Sequence, residues 1–444
     1  MKRVRIIGGG LAGSEAALQL AKAKIYVDLY EMRPKIQTGV HKTDKFAEFV
    51  CSNSMGSYDI SNASGLLKHE MEKLGSVLMP IVHEVQVPAG GALAIDRELF
   101  SEKVTELIEN NPYINIIREE IKEFDTSIPT IISSGPLTSP ALTEKIREFI
   151  GEDYLYFFDA IAPIIEKDSI DFNKAFYLNR YNKGNADYIN CPMNKEEYEK
   201  FYNILINAPR IELKTFEKNA KFFESCLPIE VIASRGVDTL RFGPLKPVGL
   251  VDDRTGVENY AVVQLRQDNK SASLYNLVGF QTNLKWGSQK ELIQSIPGLE
   301  NASIVRYGVM HRNTFINSPK VLNPTLQSRK NPNVFFAGQI TGTEGYTESI
   351  ASGLLAGLNM ARYIEEKELL ELPSETVLGA LTHYITFTGH TSFQPINSNW
   401  GILAEMETDK KVRKNKKLKN ELLANRALQR IDEIAKSIQN NDNI

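Results

Sequence analysis

The strongest constraint on this chain lies close to its start. A short apolar run, Val4–Ile7, is broken by Gly8-Gly9-Gly10, and Gly13 completes the pattern Gly8-x-Gly10-x-x-Gly13. Leu11–Ala23 follows with helical spacing, and Tyr26–Tyr30 reads as a second strand ending at Glu31, 18 residues beyond Gly13. A strand, a helix and a strand within so short a span open a doubly wound α/β fold. Each glycine has a physical task. Gly8 permits the tight turn, Gly10 lets a pyrophosphate approach the backbone, and Gly13 lets helix and strand pack closely. The helix start offers N–H groups and a positive dipole to phosphates. Gly8, Gly9, Gly10, Leu11, Ala12 and Gly13 are therefore candidate dinucleotide-binding residues, with Glu31 as the acceptor for a ribose diol.

The motif alone does not choose between FAD and NAD. A late segment favours FAD: Val334-Phe335-Phe336-Ala337-Gly338 reads as a buried strand ending in glycine, with the small residues Ser349-Ile350-Ala351-Ser352-Gly353 nearby. Glutathione-reductase-type flavoproteins close over the flavin with such a late strand and helix, an argument by fold analogy. Thr130–Ser133, ending at Gly135-Pro136, matches the way those folds return to the dinucleotide. The expected fold class is α/β: a split, Rossmann-like FAD-binding domain of the glutathione-reductase type with an inserted α+β domain. The expected limits are 1–184 for the first FAD part, 185–325 for the insertion and 326–444 for the second FAD part. The insertion is marked by Pro-containing turns and by strand-like runs such as Tyr260–Leu265 and Leu274–Phe280. Asp96 is expected to cap a helix through about Glu109, Asn194 with Glu197 forms a capping-box pattern, and Ile114–Ile117 reads as a strand.

Composition narrows the partners. The 444 residues carry 52 Lys and Arg against 55 Asp and Glu, a formal charge of −3. That argues against a wholly basic nucleic-acid binder while leaving room for a local patch. One exists: Lys410, Lys411, Arg413, Lys414, Lys416, Lys417 and Lys419 place seven positive charges in ten residues of a helical C-terminal stretch. No apolar run is long enough for a transmembrane helix, the N-terminus lacks signal-peptide character, and a cytoplasmic location is expected. The three cysteines, Cys51, Cys191 and Cys226, form no disulfide framework and suit a reducing compartment. Cys191 reads as apolar filler. Cys51 ends an apolar run and Cys226 precedes Leu227-Pro228, but a reactive thiol needs positive surroundings that the sequence does not display. No metal site is expected, because no His or Cys pair has ligand spacing.

Longer blocks carry a resemblance. Gly8–Ala17 (GGGLAGSEAA), Phe46–Ser54 (FAEFVCSNS), Phe157–Pro163 (FFDAIAP), Phe223–Glu230 (FESCLPIE) and Gly243–Leu250 (GPLKPVGL) occur in order. Tyr260–Arg266 (YAVVQLR), Gly279–Trp286 (GFQTNLKW), Arg306–Pro319 (RYGVMHRNTFINSP) and Phe335–Ser349 (FFAGQITGTEGYTES) continue the series. The chain resembles the folate- and FAD-dependent tRNA (uracil-5-)-methyltransferases from residue 4 to about residue 430. It departs at Asn283, where His is expected, and at Thr343 and Thr347, where Val is commoner.

The resemblance implies methylation of the T-loop uridine (position 54) of tRNA at C5. Carbon would come from 5,10-methylenetetrahydrofolate, and electrons from NAD(P)H through FAD. It implies Cys226 as the nucleophile that adds to uracil C6 and Cys51 as the second catalytic cysteine. Trp286, Tyr346 and Gly338 become candidate cofactor-binding residues, the two aromatics by ring stacking. Arg306, His311, Arg312 and Asn313 become candidates for the folate glutamate tail or RNA phosphates, and the basic C-terminal cluster for the RNA backbone. Competing readings are a paralogue acting on uridine of 23S rRNA, a longer wobble-uridine enzyme with a partner GTPase, a plain flavin oxidoreductase, and a non-catalytic FAD-containing RNA-binding protein. No obligate protein partner is expected.

Overall fold

In a computed structural model, the described residues are 3–152, 155–160, 162–180, 186–211, 227–308, 310–390, 393–407 and 415–441, with the backbone only for 155–160, 311–312 and 439–441. Cys226 and the basic residues Lys410, Lys411, Arg413 and Lys414 lie outside them.

The first sheet has five parallel strands in the order Val334–Phe336, Thr130–Ile132, Arg3–Ile7, Tyr26–Tyr30, Ile114–Ile117. Strand register sets the site. Ile7 lies opposite Tyr30 and Ile132, and Ile132 opposite Phe336. The next residues along each strand, Gly8, Glu31, Ser133 and Ala337, therefore share one rim. That rim is the carboxyl edge of the sheet where the strand order reverses, which is where such folds take ligands.

The helix Leu11–Lys22 is held against the sheet by small residues, with Ala16, Ala17 and Leu20 fully buried. Across it runs the late helix Tyr346–Ile364. Gly353 and Gly357 face the backbone of Ala12 and Ala16, and a side chain at Gly353 would overlap the Ala12 backbone. Burial of Leu20, Ile131 and Phe335, each at 0% exposure, contributes about 1.5–3 kcal/mol per side chain. Buried carboxylates tie further elements to this core. Glu15 accepts from the backbone N–H groups of Val77 and Leu78, and Glu70 from those of Val377 and Leu378 at the start of the helix Val377–Thr386. Burial pushes the Glu70 carboxyl up to about 8, while those two N–H groups pull the other way.

The second sheet has six antiparallel strands in the order Phe176–Tyr177, Tyr188–Met193, Ala261–Gln267, Leu274–Leu277, Ile164–Glu166, Ile304–Arg306. It draws two strands from before residue 185. The helix Lys195–Asn207 covers it and starts with the capping box of Asn194 and Glu197. Cys191 sits fully buried in this second core, where burial pushes its thiol far up and leaves it inert. The strands Leu155–Ala160 and Met310–Phe315 pair with each other in a separate antiparallel ribbon. Asp96 caps the helix Arg97–Glu109 by accepting from Glu98 and Leu99 N–H. The C-terminal helix Lys416–Asn441 buries Ala424, Ala427 and Ile431 against the first core. Among the described residues, no helix is long and apolar enough to cross a membrane.

Candidate functional site

The rim opens into a cleft lined by Gly8, Gly10, Leu11, Ala12, Glu31, Arg33, Gly338 and Tyr346, among others. Gly8 has φ +105°, a conformation that L side chains rarely adopt. A methyl group on Gly13 would overlap the Gly8 carbonyl oxygen, so helix and turn touch there without room for a side chain. Gly10 faces open space, with nothing within 4 Å of a Cβ placed there. It is the N-cap of the helix, and no side chain caps that end. The first N–H groups of the helix thus point toward the cleft with their positive dipole end. Gly338, at φ +81°, closes the opposite wall against Ala12, and its N–H donates to Ser352 Oγ at 2.8 Å.

Glu31 is buried at the second strand's end. Its Oε2 accepts from Gly9 N–H at 3.0 Å, and its Oε1 from the Arg33 backbone at 3.0 Å and Arg33 Nε at 2.9 Å. Burial alone would raise its pKa, but the Arg33 hydrogen bonds and charge hold the carboxyl below its ordinary value. Arg33 also donates to Glu48 at 3.1 Å and to the Thr43 carbonyl, so one guanidinium bridges two carboxylates. Sequence reasoning missed Arg33 and Glu48. Their signal was proximity to Glu31 and to the Phe46–Ser54 block.

At the other end of the cleft, Tyr346 meets the cysteine loop. Its hydroxyl oxygen accepts from Cys51 N–H at 2.6 Å, and its ring packs on Phe49 with centroids 4.1 Å apart. Cys51 is half-buried and is a thiol, not a disulfide. The segment after Cys226 is pinned to the GFQTNLKW block. Ile229 N–H donates to Gln281 O at 2.8 Å, while Glu230 accepts from Asn283 N–H at 2.7 Å and Thr282 Oγ1 at 2.9 Å. Burial raises the Glu230 carboxyl. Asn283 turns inward, its amide donating to Ile211 O at 3.0 Å. The hydroxyls of Thr343 and Thr347 also find backbone acceptors, Gly338 O and Met55 O.

Trp286 stands outside the cleft lining. It is 61% exposed and stacks on Tyr307, with centroids 5.4 Å apart and planes 16° from parallel. The neighbouring Arg306 reaches back to the cysteine loop, donating to Val50 O at 2.6 Å. Asn313 is buried, away from any surface phosphate, and the side chains of His311 and Arg312 lie outside the described set.

These features agree with relatives of known family. The glucose inhibited division protein A (GIDA) family model matches residues 3–368. A protein of Brevibacillus brevis named methylenetetrahydrofolate--tRNA-(uracil-5-)-methyltransferase TrmFO is 56% identical over 437 residues, covering 98% of this chain and 99% of that one. Its namesake from Anoxybacillus flavithermus is 57% identical over 435 residues, covering 98% and 100%. The chain belongs to the TrmFO family. GidA of Aquifex aeolicus shares the fold, with TM-score 0.70 at 18% identity over 98% of this chain and 73% of that one. The parallel sheet of this TrmFO family member is thus the glutathione-reductase-type, FAD-binding α/β fold. The glycine turn, the open face at Gly10 and the helix N-terminus at the cleft fit the pyrophosphate of a dinucleotide cofactor.

Proposed function

We propose that this chain methylates a uridine of tRNA at C5, taking the carbon from 5,10-methylenetetrahydrofolate, with FAD held in the cleft. The observation that carries the reading is the meeting of Tyr346 and Cys51: a cleft built for a dinucleotide ends against the cysteine loop. The relatives' name supplies the folate donor and the tRNA uracil. The T-loop uridine at position 54 is the target we assign.

Uracil C5 is a poor nucleophile. Addition of the Cys226 thiolate at C6 makes C5 enolate-like, so it can attack the one-carbon unit. Cys51 then takes the proton from C5, the electron pair of that C–H bond expels the folate nitrogen from the one-carbon unit, and a methylene is left on C5. FAD, when bound and reduced by NAD(P)H, would supply the hydride that turns this methylene into methyl, and the Cys226 thiolate then leaves C6 as the C5–C6 double bond re-forms. Gly8–Gly13 would hold the pyrophosphate, Glu31 the ribose, and Tyr346 would orient the flavin-side wall against Cys51. The exposed Trp286–Tyr307 stack offers a flat apolar face to a pterin or pyrimidine ring. Lys416, Lys417 and Lys419 sit at the N-terminal end of their helix, where the dipole already makes positive charge unfavourable, and a phosphate backbone would offset that cost.

The test is direct. The purified protein, with a flavin spectrum recorded, is incubated with methylenetetrahydrofolate, NADPH and unmodified tRNA or rRNA, and the RNA is digested. 5-Methyluridine in tRNA at position 54 is expected. None in either RNA would overturn the proposal, and product in rRNA alone would replace tRNA by the ribosomal target. A Cys226→Ala variant methylating at full rate would remove the nucleophile assignment.

A further inference from the structure

Three arginines from three separate elements converge on one short loop. Arg306, from the second sheet, donates to Val50 O at 2.6 Å. Arg97, at the start of its helix, donates to Cys51 O at 3.1 Å. Arg266, also from the second sheet, donates to Ser52 Oγ at 2.9 Å and Asn53 Oδ1 at 3.2 Å. Consecutive residues on both sides of the Cys51 thiol are thus each held by a guanidinium. All three guanidinium groups also interact electrostatically with the thiol itself.

Charge at this cage is unbalanced. The carboxylate that acts on all three arginines is Asp268, which pairs with Arg97 at 2.5 Å and accepts from Asn276 at 3.2 Å. Tyr346 faces Arg97 and Arg306, and Tyr188 faces Arg266, and neither brings a carboxylate. Glu48, three residues before Cys51, is turned away and bound to Arg33, Lys42 and Thr43. Among the described residues, three positive charges meet one carboxylate, a surplus of two. Buried charge without a counter-charge is costly, and burial already works against the cationic forms of Arg266 and Arg306. An anion inside the cage relieves that cost, and the Cys51 sulfur is the group placed to be one.

We propose that Arg97, Arg266 and Arg306 act as positioning residues that keep Cys51 as a thiolate near neutral pH. The inference rests on Cys51 being the base of the proposed reaction: a thiolate accepts the C5 proton, whereas a thiol has none of the needed basicity. The proton lost when the cage ionises Cys51 goes to solvent, and the proton gained in the reaction leaves by the same route. Arg306 is the most informative to change, because it makes a single hydrogen bond to the loop and its loss strands no carboxylate.

The test is the pH profile of Cys51 alkylation by iodoacetamide in the FAD-loaded protein, followed by peptide mass spectrometry so that Cys191 and Cys226 are read separately. In the wild-type protein the half-point is expected at least about one unit below the ordinary cysteine value of ~8.5. Arg306→Gln should raise it by about one unit, so alkylation at pH 7 slows several-fold, while Arg306→Lys should leave it near wild type. Asp268→Asn should move it the other way. Flavin content and melting temperature are recorded for each variant, and Arg266→Gln replaces Arg306→Gln if the latter fails to load flavin. A wild-type half-point at or above ~8.5, or equal half-points for the Gln and Lys variants, would overturn the proposal. This readout needs no RNA, so its failure is separable from failure of the methylation assay.

Discussion

The two ends of the cleft handle charge with different materials. At the Gly8–Gly13 end, backbone N–H groups are the positive element, and the side chains there, Glu31, Arg33 and Glu48, set two carboxylates around one guanidinium. At the Tyr346–Cys51 end, three guanidinium groups share one carboxylate among the described residues, Asp268. The first end suits a phosphate on main-chain donors and a neutral diol on an acid. The second suits an anion held among side chains. Both are buried, so in each case the surplus charge belongs to what the site is built to hold rather than to solvent.

The comparison breaks most severely at the backbone. Gly13→Ala puts a methyl group into the Gly8 carbonyl oxygen and onto Ser133 Oγ. Since the atoms in the way are mostly main chain, the turn itself must move. The expected outcome is protein purified with little or no flavin and destabilised by about 1–3 kcal/mol, read from flavin absorbance per polypeptide and chemical unfolding. Full flavin content would show that the turn is not where the dinucleotide is gripped.

Glu31→Gln comes next. It keeps the shape but removes one of the two carboxylates on Arg33, and roughly 2 kcal/mol of stability is expected to go with it. The pH dependence carries a sign. The folded Glu31 carboxyl lies below its ordinary value of 4.5, because hydrogen bonds and charge from Arg33 outweigh burial. Its contribution is therefore present above pH 4.5 and lost as pH falls through the lower folded value. Wild-type stability should drop on that acid side, and Glu31→Gln should flatten the drop. An unchanged acid slope would mean that Arg33 leans on Glu48 alone.

How much of this was legible in the sequence follows from the same contrast. The glycine turn, Glu31, the five strands of the parallel sheet and the caps at Asp96 and Asn194 are written in residues close together in the chain, and local spacing predicts them. The arginine cage is not. Arg97, Arg266 and Arg306 come from elements far apart, and only the docking of the second sheet onto the Ser54–Ser57 edge brings them to Cys51, through contacts such as Asn53 to Gln267 O at 2.9 Å. Strand Ile164–Glu166 was hard to foresee because its partners, Leu274–Leu277 and Ile304–Arg306, come from a much later stretch of the chain. Arg306 entered the sequence reading as a ligand for phosphate or glutamate, and its hydrogen bond to Val50 O ties it to the cysteine loop.

Trp286 sharpens the comparison from outside the cleft. Exposed and stacked on Tyr307, it contributes little to folding. Trp286→Ala should leave the melting temperature within about a degree of wild type, whereas loss of ring stacking worth ~0.5–1.5 kcal/mol would raise the apparent KM for folate or tRNA by up to about tenfold. Trp286→Phe should recover much of that loss. No change in KM for either substrate would return the stack to an ordinary surface contact.

The smallest effect belongs to the C-terminal helix, whose first basic residues, Lys416, Lys417 and Lys419, face solvent. Lys417 is 82% exposed, and its pairing with Glu421 at 4.0 Å is of the kind that contributes little in water. Replacing Lys416, Lys417 and Lys419 by Ala should therefore leave folding and flavin content untouched. If the helix tracks an RNA backbone, tRNA affinity falls modestly at low salt, and the slope of log affinity against log salt decreases by up to about one per phosphate contact removed. Both ends of the cleft are more weakly screened than this helix, so flavin affinity and Cys51 alkylation should keep their salt dependence in the same variant. A slope that does not change would place the RNA contacts elsewhere on the molecule, while a parallel change in Cys51 alkylation would mean that the helix and the cage are electrostatically one site.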